Sequence, residues 1–306
     1  LRLRIATRGS PLARWQAEHV AGLVADQLAP GALEVEFVVV RTEGDQQVGV
    51  PIWQLGGKGV FVNEVRAAVL GGAADVAVHS AKDLPARSVD GLVLAAVPRR
   101  GDPRDVLVGS ALGDLAPGAL VATGSARRRC QLANLRPDLR FVGLRGNIAT
   151  RLDRVGTDGI AAVVAAAAAL ERLGLSGRAA EVLDPGVLLP QVGQGALAVE
   201  CASGAPAELA GVLASIEDPP SRVAVDAERG FLDELGGDCD LPAGAFAEVR
   251  PDGVIGLRAM LASLDGHVML RHGAGGTDPV ALGRGVARHL LDDAGGSALL
   301  GSLGGG

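Results

Sequence analysis

The chain has 306 residues, 48% of them hydrophobic and 21% charged, with 45 glycines and a formal net charge of −6. That length is two or three times a typical domain, and the composition is that of a folded α/β protein, which excludes disordered and fibrous classes. The acidic balance offers no general attraction for nucleic acid, and no apolar run reaches the roughly 20 residues of a membrane span without a charge or breaker, so neither partner is expected.

Residues 2–7 and 34–41 read as short strands, and Ser10-Pro11 between them is a helix start with cap and first-turn proline in order, so the chain opens β-α-β. Residues 42–59 hold five glycines, a proline and little periodicity, which predicts a long loop of the kind used as a lid or binding loop. A helix near 60–70 follows, then strands at 75–78, 92–96 and 105–108, a strand at 119–123 leading into a helix from Ser125, and a strand at 140–144. This order predicts parallel sheets covered by helices. Beyond Pro190, GQGALAVEC reads as one more strand and 206–216 as a helix.

From 221 the pattern changes. A helix precedes three alternating segments at 244–250, 254–261 and 267–273, and an amphipathic helix covers 278–293. That grouping predicts a small α+β domain with a three-stranded antiparallel sheet, set off at Pro219-Pro220 by a stiff linker. The closing GSLGGG, 301–306, reads as a disordered tail.

Positive charge is gathered in three segments punctuated by Gly and Ser: Arg8 in IATRGSP, Arg127, Arg128 and Arg129 in TGSARRRCQL, and Arg145 and Arg151 in LRGNIATRL. Each lies where a strand hands over to a helix, where main-chain N–H groups also point outward, and guanidinium forks there suit a ligand with several carboxylates or phosphates. Only Lys58 and Lys82 are lysine, which makes both candidates for positions that need a compact ammonium, the other reading being chance survival in an arginine-rich background. In VHSAKDLP a strand ends in His79, Ser80, Lys82 and Asp83, and the strand ends of open α/β sheets are ligand sites. Cys130, Cys201 and Cys239 are odd in number and widely spaced, which argues against a disulfide framework or a metal centre and for a reducing compartment, the cytoplasm. Cys239, between Gly236-Gly237 and Pro242, sits in a turn that would present its sulfur from a loop.

With RIATRGSPLARWQA, GGKGVFVNEV, VHSAKDLP, GSARRRCQL, LRGNIATRL and VGQGALAVEC in that order, the chain closely resembles the hydroxymethylbilane synthase (porphobilinogen deaminase) family along nearly its whole length. The resemblance implies an enzyme, a transferase of tetrapyrrole (haem-type) biosynthesis. It joins four porphobilinogen molecules head to tail with loss of ammonia on a covalent dipyrromethane primer, then hydrolyses off the linear tetrapyrrole hydroxymethylbilane. It implies Cys239 as the thioether-bearing residue and Asp83 as the catalytic carboxylate. By matched position the primer-binding set is Ser80, Lys82, Asp83, Thr123, Ser125, Arg127, Arg128 and Arg145, and the substrate-binding set is Arg8, Ser10, Arg145, Arg151 and Arg172. Lys58 and Phe61 are possible lid contacts. Neither metal nor nucleotide is implied, and a monomer is.

The implied fold is two periplasmic-binding-protein-like α/β domains, 1–96 with 196–216 and 97–195, flanking a cleft, and a third domain at 219–300. Departures from the family pattern are Asp238 and Asp240 beside the cysteine, which raise its thiol pKa and oppose an anionic primer, and Glu171 where lysine is common. Two other readings of the same residues are a non-catalytic module that binds an anionic ligand reversibly on this fold, and an enzyme forming a Schiff base on Lys82.

Overall fold

The computed structural model describes residues 1–42, 62–236 and 241–303, with side chains to 301. The chain divides into two compact units, Leu1–Gly101 with Gly195–Arg222, and Asp102–Gln194 with Val223–Gly306.

In the first unit, β1 (Arg2–Arg8) and β2 (Glu34–Val40) pair in parallel, joined by α1 (Pro11–Ala25). Ser10 caps α1, its Oγ accepting from Ala13 N–H at 3.3 Å. Gln16, Ala17, Val20, Ala21 and Val24, spaced three or four apart, form the buried face of α1, and its apolar members pack on Leu3, Ile5 and Val78. Each such large side chain taken out of water contributes about 1.5–3 kcal/mol. α2 (Asn63–Leu70) covers the other face through Val65 and Val69 against Ala6 and Ala77. Sandwiched this way, β3 (Val76–Ser80) is buried over its first four residues, which is why it shows no polar alternation. β4 (Leu92–Ala96) and β10 (Leu197–Ala202) complete a sheet of order β2-β1-β3-β10-β4.

The second unit holds β5 (Asp105–Val108), β6 (Leu120–Ala122), α3 (Ala126–Leu135), β7 (Arg140–Val142), α4 (Ile148–Leu152), β8 (Ile160–Ala166), α5 (Ala167–Arg172) and β9 (Ala179–Leu183). Its sheet order is β7-β6-β8-β5-β9. The central strand β8, with α5 and β9, has no counterpart in the sequence reading. The run IAAVVAAAAAL carries neither a period of two nor one of 3.6, so nothing in it separates a buried strand from the helix that follows.

Both sheets are mixed where parallel ones were expected. β10 runs antiparallel to β3 and β4, and β5 runs antiparallel to β8 and β9. β10 rejoins its sheet after a long excursion through the second unit rather than by a single crossover helix, so no βαβ connection sets its direction.

α6 (Ala207–Ser215) belongs to the first unit, and α7 (Pro219–Glu234), which follows, begins in it. Pro219 and Pro220 are thus the first turn of a helix rather than a linker: neither needs an N–H there, and Asp218 Oδ2 accepts from Ser221 N–H at 3.0 Å. β11 (Ala243–Val249), β12 (Ile255–Ala262) and β13 (Met269–Gly276) form the expected antiparallel sheet, covered by α8 (Pro279–Arg288). α7 and α8 approach so closely that a Cβ on Gly230 would stand 2.9 Å from Val280 O. The helix expected over 278–293 is α-helical only to Arg288 and continues as one π turn, His289–Asp293. α9 (Gly296–Leu303) replaces the first three residues of the expected tail.

Candidate active site

In the first unit the residues expected at the site sit where β1 and β3 end. These strands are parallel, with Ile5 opposite Val76 and Ala6 opposite Ala77, so Arg8-Gly9-Ser10 and Ser80 to Asp83 leave the same edge of the sheet. Ala81–Asp83 form a single 3₁₀ turn, closed by Leu84 N–H to Ala81 O at 3.2 Å and tied to the next strand by Ala81 N–H to Ala196 O at 3.0 Å. Arg8, Ser10, Ser80, Lys82 and Asp83 are all half-buried, open enough for a ligand and confined enough to hold it. Gln16, unnoticed in the sequence, donates from Nε2 to Ser80 Oγ at 2.8 Å and fixes that hydroxyl.

The second unit repeats the arrangement. β6, β7 and β8 run parallel, so Thr123 to Ser125, the Arg145 turn and the start of α5 share one edge. Ser125 caps α3, its Oγ accepting from Arg128 N–H at 3.4 Å, and Thr123 Oγ1 accepts from Ser125 N–H at 3.2 Å. Gly124 lies between them because a Cβ there would stand 2.8 Å from Leu144 O. Asn147 caps α4, and Arg151 Nε donates to Gly146 O at 2.6 Å, so Arg145 and Arg151 flank one turn, both half-buried. Arg172, also half-buried, is the last residue of α5. Burial pushes its guanidinium down to about 10, against the pull of Glu171.

Arg127 and Arg128 are not on the surface: they are 2% and 8% exposed and share the wholly buried Asp105. Arg127 Nη1 donates to Asp105 Oδ2 at 2.7 Å and to Leu189 O at 2.6 Å. Arg128 reaches Asp105 Oδ1 from Nε at 3.0 Å and from Nη2 at 2.7 Å, and Gln194 Nε2 donates to the same oxygen at 2.9 Å. Burial alone would push the Asp105 carboxyl up; the two arginine charges, with hydrogen bonds from Arg127 and Gln194, outweigh it and hold the group well below the usual carboxylate range. Arg129, beside the pair, is exposed.

Two guanidinium charges against one carboxylate leave this cluster with an excess of one positive charge. Arg127 Nε and Nη2 are buried and have no acceptor among the described residues. Orphaned charged donors at a site of net positive charge call for an acceptor, which water or an anionic group can supply. The acids of a dipyrromethane fit that requirement. Arg127 also lies against β11: a Cβ on Gly244, five residues past Cys239 in sequence, would stand 3.2 Å from Arg127 Cδ.

Cys239, its neighbours Asp238 and Asp240, Lys58 and Phe61 lie outside the described residues, as does the expected lid beyond Thr42. The other two thiols are buried: burial pushes Cys130 up to about 11 and raises Cys201 as well, so neither is a nucleophile near neutral pH.

Two family models match the chain, the porphobilinogen deaminase dipyromethane cofactor binding domain over residues 3–209 and the porphobilinogen deaminase C-terminal domain over residues 223–292. Porphobilinogen deaminase of Acidothermus cellulolyticus is 46% identical over 297 residues, covering 94% of this chain and 88% of that protein. The enzyme of the same name from Syntrophobacter fumaroxidans is 44% identical, covering 95% and 94%. That of Nitratidesulfovibrio vulgaris strain Miyazaki F is 43% identical, covering 97% and 96%. Among solved structures, the VFT2 domain of Bordetella pertussis BvgS, in a double mutant, aligns at 20% identity over 70% of this chain and 86% of that one, with a TM-score of 0.42. With both models in place and relatives of this identity along nearly its full length, the chain belongs to the porphobilinogen deaminase family.

Proposed function

We propose that the chain works as a hydroxymethylbilane synthase, condensing four porphobilinogen molecules with release of ammonia and hydrolysing off the linear tetrapyrrole, with Asp83 and the strand-end arginines in separate roles. When attached to Cys239, the dipyrromethane supplies the pyrrole carbon from which the chain grows. The observation that carries the reading is the strand-end edge of each unit, where Arg8, Ser80, Lys82 and Asp83 in the first and Arg145, Arg151 and Arg172 in the second are half-buried side by side with main-chain turns.

Each pyrrole ring of substrate carries an acetate and a propionate, so a growing chain concentrates negative charge that the protein must neutralise. Arg127, Arg128 and Arg145 hold the acids of the first rings, with Ser80, Lys82, Thr123 and Ser125 adding donors. Arg8, Ser10, Arg145, Arg151 and Arg172 bind those of incoming substrate. Loss of ammonia from porphobilinogen leaves a cation spread onto the pyrrole nitrogen. Asp83, on a one-turn helix closed by its own main-chain bond and tied at its first residue to Ala196, offers a carboxylate set in place before that charge develops, so little reorganisation is needed as the barrier is crossed. The same carboxylate accepts the pyrrole N–H and is the candidate to carry a proton to or from the reacting centre. Lys58 and Phe61 are the proposed contacts of a covering loop.

A reversible receptor for an anionic ligand is the weaker reading, since the relatives along this whole chain are deaminases. No helix among the described residues is long and apolar enough to cross a membrane. We place the enzyme in the cytoplasm as a monomer.

Intact mass of the denatured protein followed by peptide mapping of 231–250 tests the reading. An added mass of two porphobilinogen units less two ammonia molecules on Cys239 supports it. A protein that neither gains that adduct after incubation with substrate nor consumes porphobilinogen refutes it.

A further inference from the structure

Beneath the strand that leads to Asp83, three ionisable side chains with no part in the reaction as described meet in the interior of the first unit. Arg66 of α2 forks onto Glu200 of β10, Nε to Oε2 and Nη2 to Oε1, each at 2.7 Å. His79 of β3 brings Nε2 to 3.4 Å from Glu200 Oε2. All three are at most 5% exposed. Burial would raise the Glu200 carboxyl, but His79 and Arg66 together draw it down to about 2, so it is ionised under working conditions.

A buried ion cluster is a poor way to gain stability, because apolar side chains of equal volume commonly serve as well or better. What this one supplies is register. Glu200 lies opposite Ala77, and Leu197 opposite Ser80, in the antiparallel pair β3–β10. The Ala81–Asp83 turn hangs from the same strand through Ala81 N–H to Ala196 O. Glu200 therefore fastens β10 to α2 through Arg66 and meets β3 through His79, four residues before Asp83 in sequence.

We propose that Glu200, forked by Arg66 and approached by His79 Nε2 outside hydrogen-bond geometry, is a positioning residue for Asp83. The cluster fixes β10 against β3 and α2, and thereby fixes the turn whose carboxylate must already be in place when positive charge develops on the substrate. This rests on the assignment of Asp83 above.

The test uses the primer-loaded enzyme. Arg66→Met with Glu200→Leu exchanges the ion pair for apolar volume. It is expected to keep the melting temperature within a few degrees while kcat for porphobilinogen consumption falls roughly 10- to 100-fold, the scale of a displacement near 1 Å, with KM changed less than about threefold. Glu200→Gln, which keeps an acceptor for Arg66, is expected to recover part of the loss. Wild-type kcat in the folded double variant overturns the proposal, and so does a fall in kcat that merely tracks lost folded protein. If the double variant does not fold, His79→Gln leaves the Arg66–Glu200 fork intact and decides by the same split: lower kcat at unchanged KM supports the proposal, unchanged kcat overturns it. A wild-type protein that consumes no porphobilinogen marks failure of the functional reading instead, so the two failures are distinguishable.

Discussion

Asp105 Oδ2 accepts a hydrogen bond from Arg127 Nη1 at 2.7 Å in a place where neither side chain is more than 2% exposed. Replacing the carboxylate with a methyl group strands two buried guanidinium groups. Asp105→Ala is therefore expected to cost about 3–5 kcal/mol, the usual penalty for removing one partner of a buried pair. Urea denaturation compared with wild type checks this, and a loss under about 1 kcal/mol would show that water already reaches the pair.

Asp83 is half-buried on a turn held by main-chain bonds, so its charge can be removed without loosening the fold. Asp83→Asn is expected to leave the melting temperature within a few degrees of wild type and to lower the condensation rate by about 10²–10³-fold, the scale of a lost electrostatic stabiliser. Single-turnover consumption of porphobilinogen on primer-loaded enzyme is the measurement; a rate within threefold of wild type would falsify the assignment.

The acid limb of stability has a definite sign. Glu200 titrates at about 2 in the folded protein against an ordinary value of 4.5, and Asp105 is likewise depressed. A depressed folded pKa gives stability that is complete above the unfolded value and is lost as pH falls through the folded one. Stability from these two groups is thus expected to be level above about pH 5 and to drop steeply between about pH 4.5 and 2, by up to about 1.4 kcal/mol per pH unit for each proton taken up. Chemical denaturation at a series of pH values should show a shallower limb for Glu200→Gln.

Buried thiols with raised pKa react only after the protein opens. Iodoacetamide at pH 8 is expected to leave Cys130 and Cys201 unmodified in native protein and to label both in denaturant. Primer-free protein should gain one adduct, on Cys239, and primer-loaded protein none. Native labelling of Cys130 would contradict its burial in the core with Leu189 and Met260.

The local signals that proved readable were those with a local cause. Ser10-Pro11 and Ser125 are helix caps whose side chains bond within three residues, and each stands where a cap-type residue precedes a helix. The antiparallel sheet of residues 243–276 showed because its strands alternate and are joined by short turns. Asp105 did not show, although it governs the arginine pair, because its partners lie 22 and 23 residues away and nothing in DPRDVLV distinguishes a buried carboxylate from a solvated one. Glu200 and Arg66, 134 residues apart, were invisible for the same reason. Orphaned donors such as Arg127 Nε are properties of a packed interior and have no sequence signature at all.

The position of β10 sets an order of events during synthesis. It lies between β3 and β4, so when the first 96 residues have left the ribosome the sheet has a gap where its fourth strand belongs, and β4 has no neighbour to pair with. About a hundred further residues must be made before 197–202 arrive to fill it. Until then the β3 edge, with the Asp83 turn beyond it, presents unpaired main-chain groups, the part of a nascent chain most prone to join another copy of itself. The second unit's sheet, by contrast, is built entirely from strands made one after another, from Asp105 to Leu183, and can close first.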